Sequence, residues 1–225
     1  MNFLHFAWVW LTRAQQWQGS DGIPARLIEH LEYTGLALVI AALIALPLGV
    51  LIGHTGRGGF YVISVANFAR SLPTLGLLIL AYVLTAGSSA AWLIPLAALA
   101  IPPILVNAYE GVLGVSSDVK DAARGMGMTG ARVLRQVEIP VAFPLILLGL
   151  RTAAIQVVAT ATLAAYIGLG GLGRYIIDGL ASHDYAQVAG GAALVILLAL
   201  AVQAAFVAVR RFGVPRGLRG RSRVS

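Results

Sequence analysis

Apolar residues run along this chain in five stretches separated by short polar segments: 33–53, 60–84, 92–113, 141–166 and 188–209. Each is long enough for a helix to cross the bilayer hydrocarbon, which takes about 20 residues. The alternation of a membrane β-strand is absent, and backbone groups facing lipid must be satisfied within their own segment, so the stretches read as helices. Pro47, Pro73, Pro102, Pro103 and Pro144 fall inside them. Membrane helices carry such prolines as kinks where neighbouring helices cover the freed carbonyls, which favours a packed bundle over isolated anchors. The N-terminal FLHFAWVWL at 3–11 is apolar but too short to span. It lacks the basic flank of a signal peptide, and no small-residue cleavage pattern follows it. Trp8, Trp10 and Trp17 suit the lipid headgroup level, so residues 1–32 are expected to form an interfacial segment.

Composition agrees with a membrane solvent. Hydrophobic residues make up 59% of the 225 and charged ones 11%, against about 25% charged in a typical soluble domain. Mean hydropathy is +0.85. The chain has no cysteine, which excludes disulfides, thiolate catalysis and iron–sulfur ligation.

The net charge of +7 is unevenly placed, and its placement predicts orientation. Eleven basic residues (Arg57, Lys120, Arg124, Arg132, Arg135 and six arginines from Arg210 onward) fall on one side of the five spans. Three, Arg13, Arg26 and Arg174, fall on the other. The bias predicts an outer N-terminus and a cytoplasmic C-terminus. Residues 33–210 would then form the transmembrane domain and 211–225 a basic cytoplasmic tail. That tail suits anionic lipid as an anchor; it is short and has no aromatic platform for nucleic acid.

The third and fourth spans are joined by a predicted cytoplasmic loop, 114–140, with strong patterning. Ser117 can cap a short helix with Asp118 and Asp121 in its first turn. Val119, Ala122, Ala123 and Met126 share one face, with Lys120 and Arg124 off it. Gly125 and Gly127 end that helix, Thr129 can cap a second, and Gly130, Val133, Leu134 and Val137 repeat the spacing before Pro140 opens the fourth span. Two such helices suit a hairpin lying on lipid, or a ridge docking into a groove on a soluble partner. Periodicity serves both.

The same residues carry a resemblance. Asp121-Ala122-Ala123, three residues, Gly127, nine residues, then Val137-Glu138-Ile139-Pro140 resembles the E-A-A, x3, G, x9, I-x-L-P signature of binding-protein-dependent ABC transporter permeases. Asp replaces Glu, Val replaces Ile and Ile replaces Leu, all conservatively. The likeness covers about 30–205. ARSLPTLGLLIL (69–80), PPILVNAYEGV (102–112) and YIGLGGLGRYIIDGL (166–180) are similar to permeases for glycine betaine, carnitine and choline. Where such permeases often carry Gln-Thr-Ile-Pro-Ser, this chain has Arg70-Ser71-Leu72-Pro73-Thr74. The related methionine-importer permeases share the loop and the five-helix core.

The resemblance implies an all-α, type I importer permease in a bacterial inner membrane, paired with a second copy or a sister permease. Asp121, Ala122, Ala123, Gly127, Val137, Ile139 and Pro140 would couple to two cytoplasmic ATP-binding subunits, and an extracytoplasmic binding protein would deliver solute. It implies alternating access, with the quaternary ammonium recognised mainly by an aromatic cage in the binding protein. The chain ends in its basic tail, so no fused binding domain is expected. ATP is expected on the partner subunit, since no phosphate-binding loop with a following lysine occurs here.

Gly168, Gly170 and Gly173, with Gly171 between them, match a dinucleotide fingerprint in letters only, since a membrane span precedes them. They read as a tight outer loop, which the resemblance places at the mouth of the pathway as a gate or binding-protein contact. Arg70 and Arg151 lie within spans, where a central arginine costs roughly 2.5–3.5 kcal/mol, so each should face the bundle or water. Glu110 is a candidate partner. The four histidines are scattered, without metal-ligand spacing. The rivals from other classes are an intramembrane enzyme, whose paired polar groups are missing, and a channel, which needs no docking loop.

Overall fold

The computed structural model describes residues 3–213; the tail from 214 on lies outside the described residues. Every regular element in them is helical. A short helix α1 (Phe3–Leu11) precedes α2 (Ile23–Thr55), which begins ten residues before the first expected span. Pro47 sits inside α2, as Pro102 and Pro103 do inside α5 (Leu93–Leu113) and Pro144 inside α8 (Ile139–Thr160). The second expected span is not one rod. It is α3 (Gly59–Ser71) and α4 (Thr74–Leu84), interrupted at Leu72-Pro73. Pro73 has no amide hydrogen and disfavours a helical residue before it, so the chain turns there. Between α5 and α8 lie α6 (Ser117–Gly125) and α7 (Gly130–Val133); after α8 come α9 (Gly173–Ala181) and α10 (Tyr185–Gly213). Four helical segments are individually long and apolar enough to cross a membrane, and the interrupted pair makes up to five.

The chain divides into two compact units. The first comprises the chain up to Val39 with Leu72–Leu99 and Ala154–Val202. Its core gathers Trp10, Ile23, Leu172 and Tyr175. Trp10 is 1% exposed and meets the Tyr175 ring edge-on at 4.8 Å, with Gly190 leaving space for the indole. Of the three tryptophans expected at the headgroup level, Trp8 and Trp17 are exposed, but Trp10 is a core residue that pins α1.

The second unit comprises Ile40–Ser71, Ala100–Ala153 and the described residues from Gln203. Its core gathers Ala108, Val112, Ala142 and Ile146. Small residues set how closely its helices approach, as in membrane bundles generally. A Cβ on Gly49 would lie 2.8 Å from Leu105 O, one on Gly53 2.7 Å from Tyr109 O, and one on Gly149 2.8 Å from Pro103 O. α2, α5 and α8 therefore pack nearly backbone to backbone in this unit. The Pro103 carbonyl accepts a 2.8 Å hydrogen bond from the Asn107 amide.

Candidate functional site

The 114–140 loop is built on α6. Asp118 in its first turn and Arg124 in its last complement the helix dipole. The expected cap shifts by one residue: Ser116 holds the cap position without a side-chain hydrogen bond, and Ser117 is already helical. Beyond Gly125 the chain reverses through a Schellman motif. The Met128 amide donates to Ala123 O at 3.2 Å and the Gly127 amide to Arg124 O at 2.9 Å, with Gly127 at φ +82°. The helix end expected at Gly127 is thus a left-handed residue, which glycine adopts at no steric cost.

The faces of α6 differ from the expected ones. Val119, Ala122 and Met126 are exposed, forming an outward apolar ridge at i, i+3 and i+7. Ala123, expected on that ridge, is 2% exposed and turned into its own chain. Lys120, expected on the solvated face, also reaches inward, with its side chain 15% exposed. Asp121 stays outside, 3.3 Å from Arg124, in a solvated pair that contributes little stability.

The second expected helix is not separate. α7 runs through a π turn, Leu134–Glu138, directly into α8, with the Ile139 amide bonded five residues back to Leu134 O. Such a widened turn adds a residue to the helix just ahead of Pro140, whose ring would crowd a tighter turn. Val133 and Glu138 both point inward as a result and are fully buried. Val137 and Ile139 are half-buried and Pro140 is exposed.

Glu138 is the residue that sequence reasoning missed; the signature leaves its position free. Its Oε2 accepts a 2.6 Å hydrogen bond from His54 Nδ1, in the last turn of α2. Because an ionised carboxylate only accepts, Nδ1 carries the hydrogen. Lys120 Nζ stands 3.5 Å from Oε1 and donates to Val112 O at 3.3 Å, near the end of α5. Oε1 itself has no hydrogen bond, so its contact with Lys120 is electrostatic. Three side chains from α2, α6 and the π turn therefore close on one point behind the outward ridge.

The glycine loop in the first unit is clamped to the start of α2. Glu29 Oε2 accepts the Gly171 amide at 2.7 Å and Arg26 Nη1 at 2.9 Å, while Arg26 also pairs with Asp21. His30, fully buried, accepts the Leu172 amide on Nδ1 at 3.3 Å, so its Nε2 carries the hydrogen donated to Val158 O at 2.9 Å. Gly168 and Gly171 take φ +82° and +80°. Gly170 lies against the Glu29 and Arg26 side chains, and Gly173 against the Thr162 backbone. Arg26, Arg174, Asp21 and Asp178 line an adjoining cavity of about 220 Å³, with Arg174 Nε 2.9 Å from Asp178.

The charges expected within spans are not brought together. Arg151 lines a groove of about 130 Å³ with Pro144, Phe206 and Arg210, while Glu110 is exposed on α5. Among the described residues no ion pair joins them; the Arg70 side chain lies outside that set. Nor do three His, Asp or Glu side chains converge there as a metal would require.

Residues 31–216 match the family described as the binding-protein-dependent transport system inner membrane component. The chain is 36% identical over 197 residues to the glycine betaine/carnitine/choline transport system permease protein OpuCB of Bacillus subtilis, covering 88% of this chain and 91% of that one. It is 34% identical to the carnitine transport permease protein OpuCB of Listeria monocytogenes, covering 85% and 88%. An inward-facing structure of the MetNI methionine ABC transporter superposes with a TM-score of 0.73 at 26% identity, covering 84% of this chain and 94% of the other.

Proposed function

The chain belongs to the family of binding-protein-dependent transport system inner membrane components, and on that premise we propose that it carries quaternary-amine osmoprotectants such as glycine betaine, choline or carnitine. As a member it is a multi-pass permease subunit, not an enzyme. It works with ATP-binding subunits and a substrate-binding protein.

In the proposed assembly two such permeases, identical or sister chains, form the pathway, and two ATP-binding subunits bind all the ATP. The N-terminus faces outward and the 114–140 loop the cytoplasm, in keeping with the distribution of arginine. The outward ridge of α6 enters a cleft on the ATP-binding subunit, helix in groove. Residues around Gly168–Gly173 meet the binding protein and close the outer mouth.

The observation that carries the reading is the exposed apolar ridge Val119, Ala122 and Met126. It tops a helix braced from behind by Lys120 and Glu138, within the stretch that fits the E-A-A signature. A hairpin resting on lipid has no use for such bracing. The substrate class is supported by the identity to permeases whose names state those solutes. The structural likeness to a methionine transporter favours one second reading, methionine itself. Radiolabelled uptake decides between them in a transporter-deficient strain expressing this chain with its ATP-binding and binding-protein partners. Competition by glycine betaine, choline or carnitine is expected; competition by methionine alone would overturn the assignment.

A further inference from the structure

We propose that Glu138 is a positioning residue for coupling, a buried strut that carries displacement of α6 into the end of α2. The inference rests on the docking role of α6 proposed above.

Four observations converge on it. Glu138 is fully buried, yet it is a carboxylate, and a buried charge is retained only where partners hold it. Its partners come from elements far apart in sequence: His54 from the last turn of α2, 84 positions away, and Lys120 from α6. Lys120 also donates to Val112 O at 3.3 Å, a carbonyl near the end of α5 that accepts the Val115 amide at 3.4 Å as well. Finally, the π turn places the carboxylate, since the widened turn directs both Val133 and Glu138 inward just before α8 begins. The ends of α2 and α5, the start of α8 and the whole of α6 are thus joined through three side chains, without a docking residue among them.

Apolar packing alone would allow α6 to slide, because dispersion contacts have little directional preference. A short hydrogen bond and a charge contact fix direction as well as distance. A push on the outer face of α6 therefore reaches α2 through Lys120, Glu138 and His54. It reaches α8 through the backbone of the π turn. Coupling between sites typically changes a response by about 5–150-fold, which sets the size of the effect to look for.

The test uses the full complex of permease, ATP-binding subunits and binding protein, reconstituted in lipid nanodiscs, with Glu138→Ala, Glu138→Gln, His54→Ala and the Glu138→Ala/His54→Ala double variant. Three quantities are read: the ATP-binding subunit that co-purifies, basal hydrolysis, and hydrolysis with loaded binding protein. The ATP-binding subunit should co-purify with every variant, while the stimulated-to-basal ratio falls by about tenfold in Glu138→Ala. Glu138→Gln, which keeps the shape and an acceptor for His54, should recover part of that ratio. The double variant should be no worse than Glu138→Ala, as for residues acting through one contact. If Glu138→Ala does not assemble, the same ratio in Glu138→Gln and His54→Ala decides. An unchanged ratio in assembled variants, or additive losses in the double one, overturns the strut. Failure of the unaltered chain to capture the ATP-binding subunit would instead overturn the docking role, a distinguishable outcome.

Discussion

Glu29 and Gly171, 142 positions apart, meet through a 2.7 Å hydrogen bond from the glycine amide to the carboxylate. Arg26 and Glu29, one turn apart on α2, hold the glycine loop from one side. His30 bonds the next amide, Leu172, from beneath. The loop is a clamped turn, and its glycines differ in what they do. Gly168 supplies a left-handed backbone with open space around it, whereas a Cβ on Gly173 would run into the Thr162 backbone. Gly173→Ala should therefore lower stability by about 1–3 kcal/mol, as overpacking does. Gly168→Ala carries only the left-handed penalty of about 1–2 kcal/mol, and open space leaves room for relief. Melting midpoints in detergent should rank unaltered chain, Gly168→Ala, Gly173→Ala; the reverse order of the two variants would refute the close approach.

Tyr175 offers a pH test of the same region. Its hydroxyl donates to Asp21 O at 2.7 Å, and burial pushes its pKa up from 10.0 to about 12. The folded state thus holds the phenolic proton more tightly than the unfolded chain does. This contribution is intact below pH 10 and is lost as pH rises through the folded value. The difference in melting midpoint between the unaltered chain and Tyr175→Phe should be constant at neutral pH and shrink above about pH 10. A difference that grows with alkalinity would contradict the burial.

Orientation can be read chemically, because the chain has no cysteine. Ser88→Cys, Ser117→Cys and Ser182→Cys each place one thiol at an exposed position. A membrane-impermeant maleimide on intact cells with a permeabilised outer membrane should label positions 88 and 182 and spare 117. Labelling of 117 alone would invert the assignment.

Gly127 separates conformation from contact. It sits at φ +82°, and a Cβ there would touch nothing within 4 Å. Within the chain itself, the cost of substitution is therefore backbone strain, worth about 1–2 kcal/mol for an ordinary L-residue. Gly127→Asn should transport nearly as well as the unaltered chain, since Asn tolerates the left-handed region, whereas the β-branched Gly127→Val should not. Equal uptake by the two would remove the Schellman exit from the coupling account.

Much of this was legible in the sequence where a feature depends on near neighbours. The apolar stretches announced the long helices, and Gly125-Met126-Gly127 announced where α6 would end. What periodicity could not do was say which face of α6 meets its own chain. Ala122 and Ala123 are alike in size and polarity, yet Ala122 faces out while Ala123 is 2% exposed. Lys120 looked like a solvated charge because its partner, Glu138, follows only after a reversal and a π turn. The break at Pro73 was hidden because the residues on both sides are apolar enough for one straight span. Trp10 and Trp8 share a short helix and a residue type, and only the packing of Tyr175 and Gly190 tells the buried one from the exposed one.

The two faces of α6 call for different substitutions. Ala123→Asp would put a charge into the chain's own interior and disturb the loop itself, whereas Ala122→Asp changes only the outward ridge between Val119 and Met126. The most direct measurement is the amount of ATP-binding subunit that co-purifies with Ala122→Asp, at unaltered permease abundance and melting midpoint. An unpaired aspartate in a closed cleft costs several kcal/mol, roughly a hundredfold or more in affinity. A normally inserted Ala122→Asp chain should lose nearly all of the ATP-binding subunit and of uptake. Full co-purification with normal uptake would contradict this, and α6 would then be no docking helix.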